Sequence, residues 1–221
     1  MTGAERTHAD TDAGITGADA HTAQSYARGV GTDPSSLTVK SLELIRACGL
    51  APEDPIIAVG DMDAHLLAAL LDVGHRDLTV LHPSKEALEG LRQALGDLAG
   101  EVILIAADPL QFQPHRRYAL WQDRGFFHYL MHPDDRQRYV EVVQYALRPE
   151  GHLIISAFGP EGPAQDSGVP VERYSASKLA GELGRPFELT AEGLELHPLA
   201  GGGYQQLLHC RFRRHAPRWP C

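Results

Sequence analysis

Apolar positions along this chain fall into short continuous runs that alternate with stretches spaced three and four residues apart. The first run, 55–59, reads as a buried strand. Asp63 stands in position to cap a helix over 65–73, which Gly74 closes. A second strand follows at 77–81. Ser84 then caps a helix with Ala87, Leu88, Leu91 and Leu95 along one side. Further strands are predicted at 101–106, 118–122 and 151–158. Between the last two, Pro133-Asp134-Asp135 opens a helix whose apolar face is Tyr139, Val142, Val143 and Ala146. Upstream, Ser35-Ser36 caps a helix through Leu42, Leu44 and Ile45, ended by Gly49.

The last third of the chain breaks the alternation. A helix over 175–183 precedes two strands, 187–196 and 204–212, joined by Pro198 to Gly203 as a hairpin-type connection. The pattern as a whole predicts an α/β fold. It is doubly wound and Rossmann-like, with a mostly parallel sheet that ends in an antiparallel hairpin and carries helices on both faces. Residues 1–30 show no apolar periodicity and read as a flexible N-terminal arm; 31–221 read as a single domain.

Composition narrows the partners. A net charge of −9 argues against a nucleic-acid surface. No apolar run is long enough to span a membrane, and the N-terminal residues lack a signal-peptide core, so a cytoplasmic location is expected. Cys48, Cys210 and Cys221 are scattered and odd in number, which supports neither a disulfide framework nor a thiolate metal site. His128 and His132 are four apart, but Pro133 biases His132 away from helical geometry, so no metal is expected there.

Several ordered segments resemble one family. Leu120 to Leu130 (LWQDRGFFHYL) is similar to the strand and loop "WHDRAVFHFL" of a bacterial branch of small-molecule methyltransferases. Asp135-Arg136 with Tyr139 matches its "DR-x-x-Y", 147–155 its "LRPGGHLII", and 168–174 its "GLPVxRY". The chain thus resembles a class I S-adenosylmethionine-dependent methyltransferase over roughly 35–214.

The departures lie where that family holds its cofactor. Its first motif, similar to D-V-G-G-G-A-S, is here Ala58-Val59-Gly60-Asp61-Met62-Asp63-Ala64. The acid ending the second strand is His82, the fourth-strand acid is Ala119, and the histidine before Asp123-Arg124 is Gln122. Gly60, Asp61, His82 and Asp108 are therefore the remnants of a degenerate cofactor site. The resemblance implies loss of carboxylate bonds to the ribose, each worth about 1.5–3 kcal/mol.

Candidate chemistry lies in what remains. Asp123, Arg124 and His128 follow the fourth strand at the carboxyl edge, where open α/β sheets bind ligands. An Asp–Arg pair can orient a charged group and a histidine can act as base; the other reading is that Asp123 and Arg124 pair to fix the loop while His128 packs beneath it. Arg173 and Tyr174 border a Gly-Pro-rich segment, 159–170, readable as a lid, and Arg173 suits an anionic group. His197 and Tyr204 flank the last hairpin, where the resemblance implies substrate contacts.

The leading expectation is a repurposed fold acting on a small polar metabolite in a biosynthetic pathway. It expects no cofactor and a cofactor-independent displacement, elimination or cyclisation. The alternatives are an active methyltransferase that uses S-adenosylmethionine, and a non-catalytic subunit supporting a partner chain or forming a homodimer.

Overall fold

The computed structural model describes residues 34–60, 62–198 and 203–216. The expected N-terminal arm, Asp61 and most of the 198–203 connection lie outside the described residues, as do the side chains of Ser35 and Ser36.

The elements run α1 (Pro34–Arg46), β1 (Ile56–Gly60), α2 (Ala64–Asp72), β2 (Leu78–His82), α3 (Lys85–Leu95), β3 (Val102–Ala106), β4 (Tyr118–Arg124), α4 (Pro133–Ala146), β5 (Leu147–Phe158), β6 (Gln165–Asp166), β7 (Val169–Pro170), α5 (Ala176–Leu183), β8 (Phe187–Pro198) and β9 (Tyr204–Arg214). Seven strands form one sheet in the order β3-β2-β1-β4-β5-β9-β8. β1 to β5 pair in parallel, and β9 runs antiparallel to both β5 and β8.

Strand alternation sends neighbouring side chains to opposite faces. Ile56, Leu120 and Ile154 face α1, α2 and α3, where Ile45, Leu66, Leu67, Leu70, Leu88 and Leu91 cover them. Ile57, Val59, Trp121, Leu153 and Ile155 face α4 and α5, against Tyr139, Val143 and Leu179. The predicted caps Asp63 and Ser84 form, Ser175 caps a further helix, and Ser35-Ser36, expected as caps, instead lie within α1, which starts at Pro34. The Asp63 side chain accepts from the Leu66 amide at 2.7 Å, Ser84 from Ala87 at 3.1 Å and Ser175 from Lys178 at 3.2 Å.

Several details differ from the sequence expectation, among them the hairpin strands, which run two residues further, to Pro198 and Arg214. β4 runs on to Arg124, and β5 begins at Leu147 rather than at Gly151. The early start is accommodated by Glu150 at φ 62 and by Gly151, where a Cβ would stand 2.9 Å from the Arg148 carbonyl. On α4 it is Val140 rather than Val142 that is fully buried. Among the described residues no helix is long and apolar enough to cross a membrane.

Candidate functional site

β1 ends at Gly60, and that glycine is demanded by protein backbone. Its φ is +91, and a Cβ there would lie 2.4 Å from the Arg124 carbonyl oxygen. Ala58 is buried and stands directly opposite Gln122 on β4. The acid and the histidine that the resemblance leads one to expect would thus be cross-strand neighbours, and both are replaced. Gln122 is fully buried, and neither end of its amide has a partner among the described residues.

At the end of β2 His82 is buried, and its Nδ1 accepts the Ser84 amide at 3.0 Å. Burial holds this imidazole below its ordinary pKa, so it is uncharged at neutral pH. Beside it, Gly60, Met62, Val80, His82, Ala87, Leu88 and Leu91 line a cavity of about 60 Å³. A small-molecule site ordinarily offers roughly 300 Å³ or more. Past β3, Asp108 accepts the Leu110 amide and the Gln111 side chain, both at 2.9 Å, so its carboxylate ties down its own turn. At the strand end where the resemblance leads one to expect a ribose carboxylate stands the buried ring of His82.

Asp123 and Arg124 do not act together. As successive residues of β4 they point to opposite faces. Asp123 is fully buried on the α4 side, where it accepts the Phe126 amide at 2.8 Å, the Phe127 amide at 3.1 Å and the Tyr139 hydroxyl. Trp121 Nε1 in turn donates to Tyr139 at 2.9 Å. Burial raises the Asp123 carboxyl to about 7, against the pull of those three donors. It sits in the core and fixes the 3₁₀ turn Phe127–Tyr129.

His128 is buried on the same side of the sheet. It is 2% exposed, stacks on Phe158 with ring centroids 4.5 Å apart, and is driven down to about 3 by burial. Burial therefore keeps the ring neutral in the folded chain. Arg173 donates to the Pro160 and Gly162 carbonyls at 3.3 and 3.4 Å, so it braces the 159–170 segment rather than waiting for an anion. That segment is further fixed by the short β6–β7 pair and by a Gly159-to-Gln206 backbone bond of 3.0 Å, which corrects its reading as a lid. Tyr174 is fully buried among core aromatics, and burial pushes its hydroxyl pKa up. Tyr204 is 69% exposed at the hairpin base.

The other face of the sheet gathers the polar groups instead. The Arg124 guanidinium, only 7% exposed, donates to Asp63 at 2.8 Å. Thr38 of α1 donates to the same carboxylate at 3.3 Å. The register runs on from Arg124 to Ser156 of β5 and from Ser156 to His209 of β9. Ser156 Oγ contacts His209 Nδ1 at 2.9 Å, and His209 Nε2 contacts Glu195 of β8 at 2.9 Å. His197 Nε2 reaches that same Glu195 oxygen at 3.3 Å. The result is a polar row across four strands, at the carboxyl ends of β4, β5 and β8 and the middle of the antiparallel β9, bordered by α1. Burial lowers the His209 pKa, and Glu195 partly opposes that shift.

Of the sequence-predicted residues, the structure brings Arg124 and His197 into this row; Gly60 and His82 stand at neighbouring strand ends. Asp63, Ser156, Glu195 and His209 were missed. The available signal was the alternation Glu195-x-His197 on one strand of a predicted hairpin whose other strand carries His209.

No protein-family model matches the chain, and comparison with curated proteins gives no match. Solved structures do match. The N-methyltransferase NodS from Bradyrhizobium japonicum, solved with S-adenosyl-L-homocysteine, is 18% identical over 87% of this chain and 98% of its own, with a TM-score of 0.67. The 1,6-didemethyltoxoflavin-N1-methyltransferase of Burkholderia thailandensis is 20% identical over 90% of this chain and 82% of its own, at 0.60. The glycopeptide N-methyltransferase MtfA with S-adenosyl-L-methionine is 17% identical over 79% and 87%, at 0.59. The strand order, the terminal hairpin and these likenesses together give this chain the fold of the class I S-adenosylmethionine-dependent methyltransferases.

Proposed function

We propose that the chain is an enzyme on the methyltransferase fold that acts on a small polar metabolite at the row Asp63–Arg124–Ser156–His209–Glu195–His197. The reaction it favours is a displacement, elimination or cyclisation that does not draw a methyl group from S-adenosylmethionine. One observation carries this: the cofactor end of the site has an apolar Ala58 and a buried, uncharged His82, while the adjoining strand ends keep a cation, two carboxylates, a hydroxyl and two imidazoles. Arg124 would orient an anionic or carbonyl group, and α1 would shield the row from water.

A second reading, S-adenosylmethionine-dependent methyl transfer to a small molecule, is favoured by the comparisons, since structures of like fold contain that cofactor or its demethylated product. Gly60 also survives at its expected place. The two readings separate by mass spectrometry of small molecules released from the purified chain. The first predicts a polar metabolite that is lost in Arg124→Met. Release of S-adenosylmethionine or S-adenosylhomocysteine would overturn the first and support the second.

A further inference from the structure

We propose that Glu195, His197 and His209 bind a divalent first-row transition ion. The ligand atoms of these three side chains all lie within 4.8 Å of one another. Glu195 and His197 are two apart on β8 and so share a face; His209 sits diagonally across on β9, opposite Gly193. A tetrahedral ion with bonds of 2.0–2.1 Å sets its ligands about 3.3 Å apart. The Glu195 oxygen stands 2.9 Å from His209 Nε2 and 3.3 Å from His197 Nε2, close to that spacing before any ion draws them in.

The surroundings suit an ion as well. Both histidines are at least 95% buried, while the Glu195 side chain is 30% exposed, which leaves an approach from solvent. Ser156 Oγ at 2.9 Å holds the far nitrogen of His209, fixing ring orientation as partners behind metal-bound histidines do. Two imidazoles and one carboxylate supply three ligands and leave a fourth position for water or substrate, the arrangement of a reactive centre rather than a closed structural one. Lys40 of α1 acts on His209 with a charge of the same sign as an ion, and its ammonium is engaged by Glu43 at 3.1 Å. This inference rests on the hairpin geometry alone and holds whichever reaction the chain performs.

The test uses the full chain stripped with chelator and then titrated with Zn2+ by calorimetry and with Co2+ by visible spectroscopy. One equivalent of each should bind, with the intense d–d bands of a four-coordinate cobalt site. Glu195→Gln and His209→Asn should each weaken binding at least tenfold, while His132→Ala, an exposed surface histidine, should leave it unchanged. Circular dichroism checks that the variants are folded. Absence of saturable one-to-one binding by the unaltered chain would overturn the proposal, as would binding unaffected by Glu195→Gln and His209→Asn.

Discussion

Arg124 at the end of β4 is paired across 61 residues with Asp63, the cap of α2, at 2.8 Å. The same carboxylate thus starts a helix, neutralises a nearly buried guanidinium and receives Thr38 from α1. Removing one member of a buried pair strands the other charge, at a cost of about 3–5 kcal/mol. Asp63→Ala also deletes a helix cap, worth about 1 kcal/mol. Asp63→Ala should therefore destabilise the chain by at least about 3 kcal/mol in urea unfolding, and more than Arg124→Met does. Equal or smaller losses for Asp63→Ala would contradict the pairing.

Gly60 makes a separable prediction. A methyl group placed there meets the Arg124 carbonyl at 2.4 Å, and the backbone sits at a φ that L residues avoid. Gly60→Ala should cost about 2 kcal/mol or more with no ligand present. A variant as stable as the parent would mean the glycine is kept for a ligand instead.

Asp123 and His128 tilt stability with pH in opposite directions. Asp123 has a folded pKa of about 7, above its unfolded value, so the folded state holds the extra proton. Its contribution is full below about pH 4 and is lost as pH rises through 7. His128, near 3 when folded, is depressed; its contribution is present above about pH 6.5 and is lost as pH falls towards 3. The two slopes partly cancel between pH 4 and 6.5. Asp123→Asn should unmask the acid-side loss, and His128→Phe should stabilise the chain at pH 5 by removing a buried ring with two unpartnered nitrogens. Urea midpoints at pH 5 and 7.5 check both. A His128→Phe variant less stable than the parent at pH 5 would refute the assignment.

Tyr204→Ala and Arg173→Ala separate the site from its neighbourhood. Tyr204 is solvent-facing, so its removal should change activity less than twofold. Arg173→Ala should loosen the 159–170 segment, read as faster local hydrogen exchange there. A tenfold fall in activity for Tyr204→Ala would move the site towards the hairpin base.

Much of the fold was legible because local chemistry and tertiary role agree. Asp63, Ser84 and Ser175 are caps by residue type and caps in the structure. The site was legible only in part. Asp123 and Arg124 look like a catalytic pair in a string of letters, yet strand alternation sends one into the core and the other to the polar row. The predicted strand stopped at 122, and only the structural extension of β4 to Arg124 separates them. The partners of Arg124 and His197 were not legible, because they depend on register: Ser156 meets His209 only once β5 pairs with β9. Burial misleads too, since His128 and Tyr174 carry reactive-looking groups that serve packing.

In the proposed reading, the cofactor end of this fold has been given up while the adjoining row serves a small polar metabolite. Calorimetric titration of the full chain with S-adenosylmethionine and S-adenosylhomocysteine tests it most directly. The account predicts no binding tighter than about 1 mM for either, because an uncharged His82 stands where the ribose carboxylate is expected. Saturable binding of either compound in the micromolar range, weakened by Asp108→Ala, would contradict it.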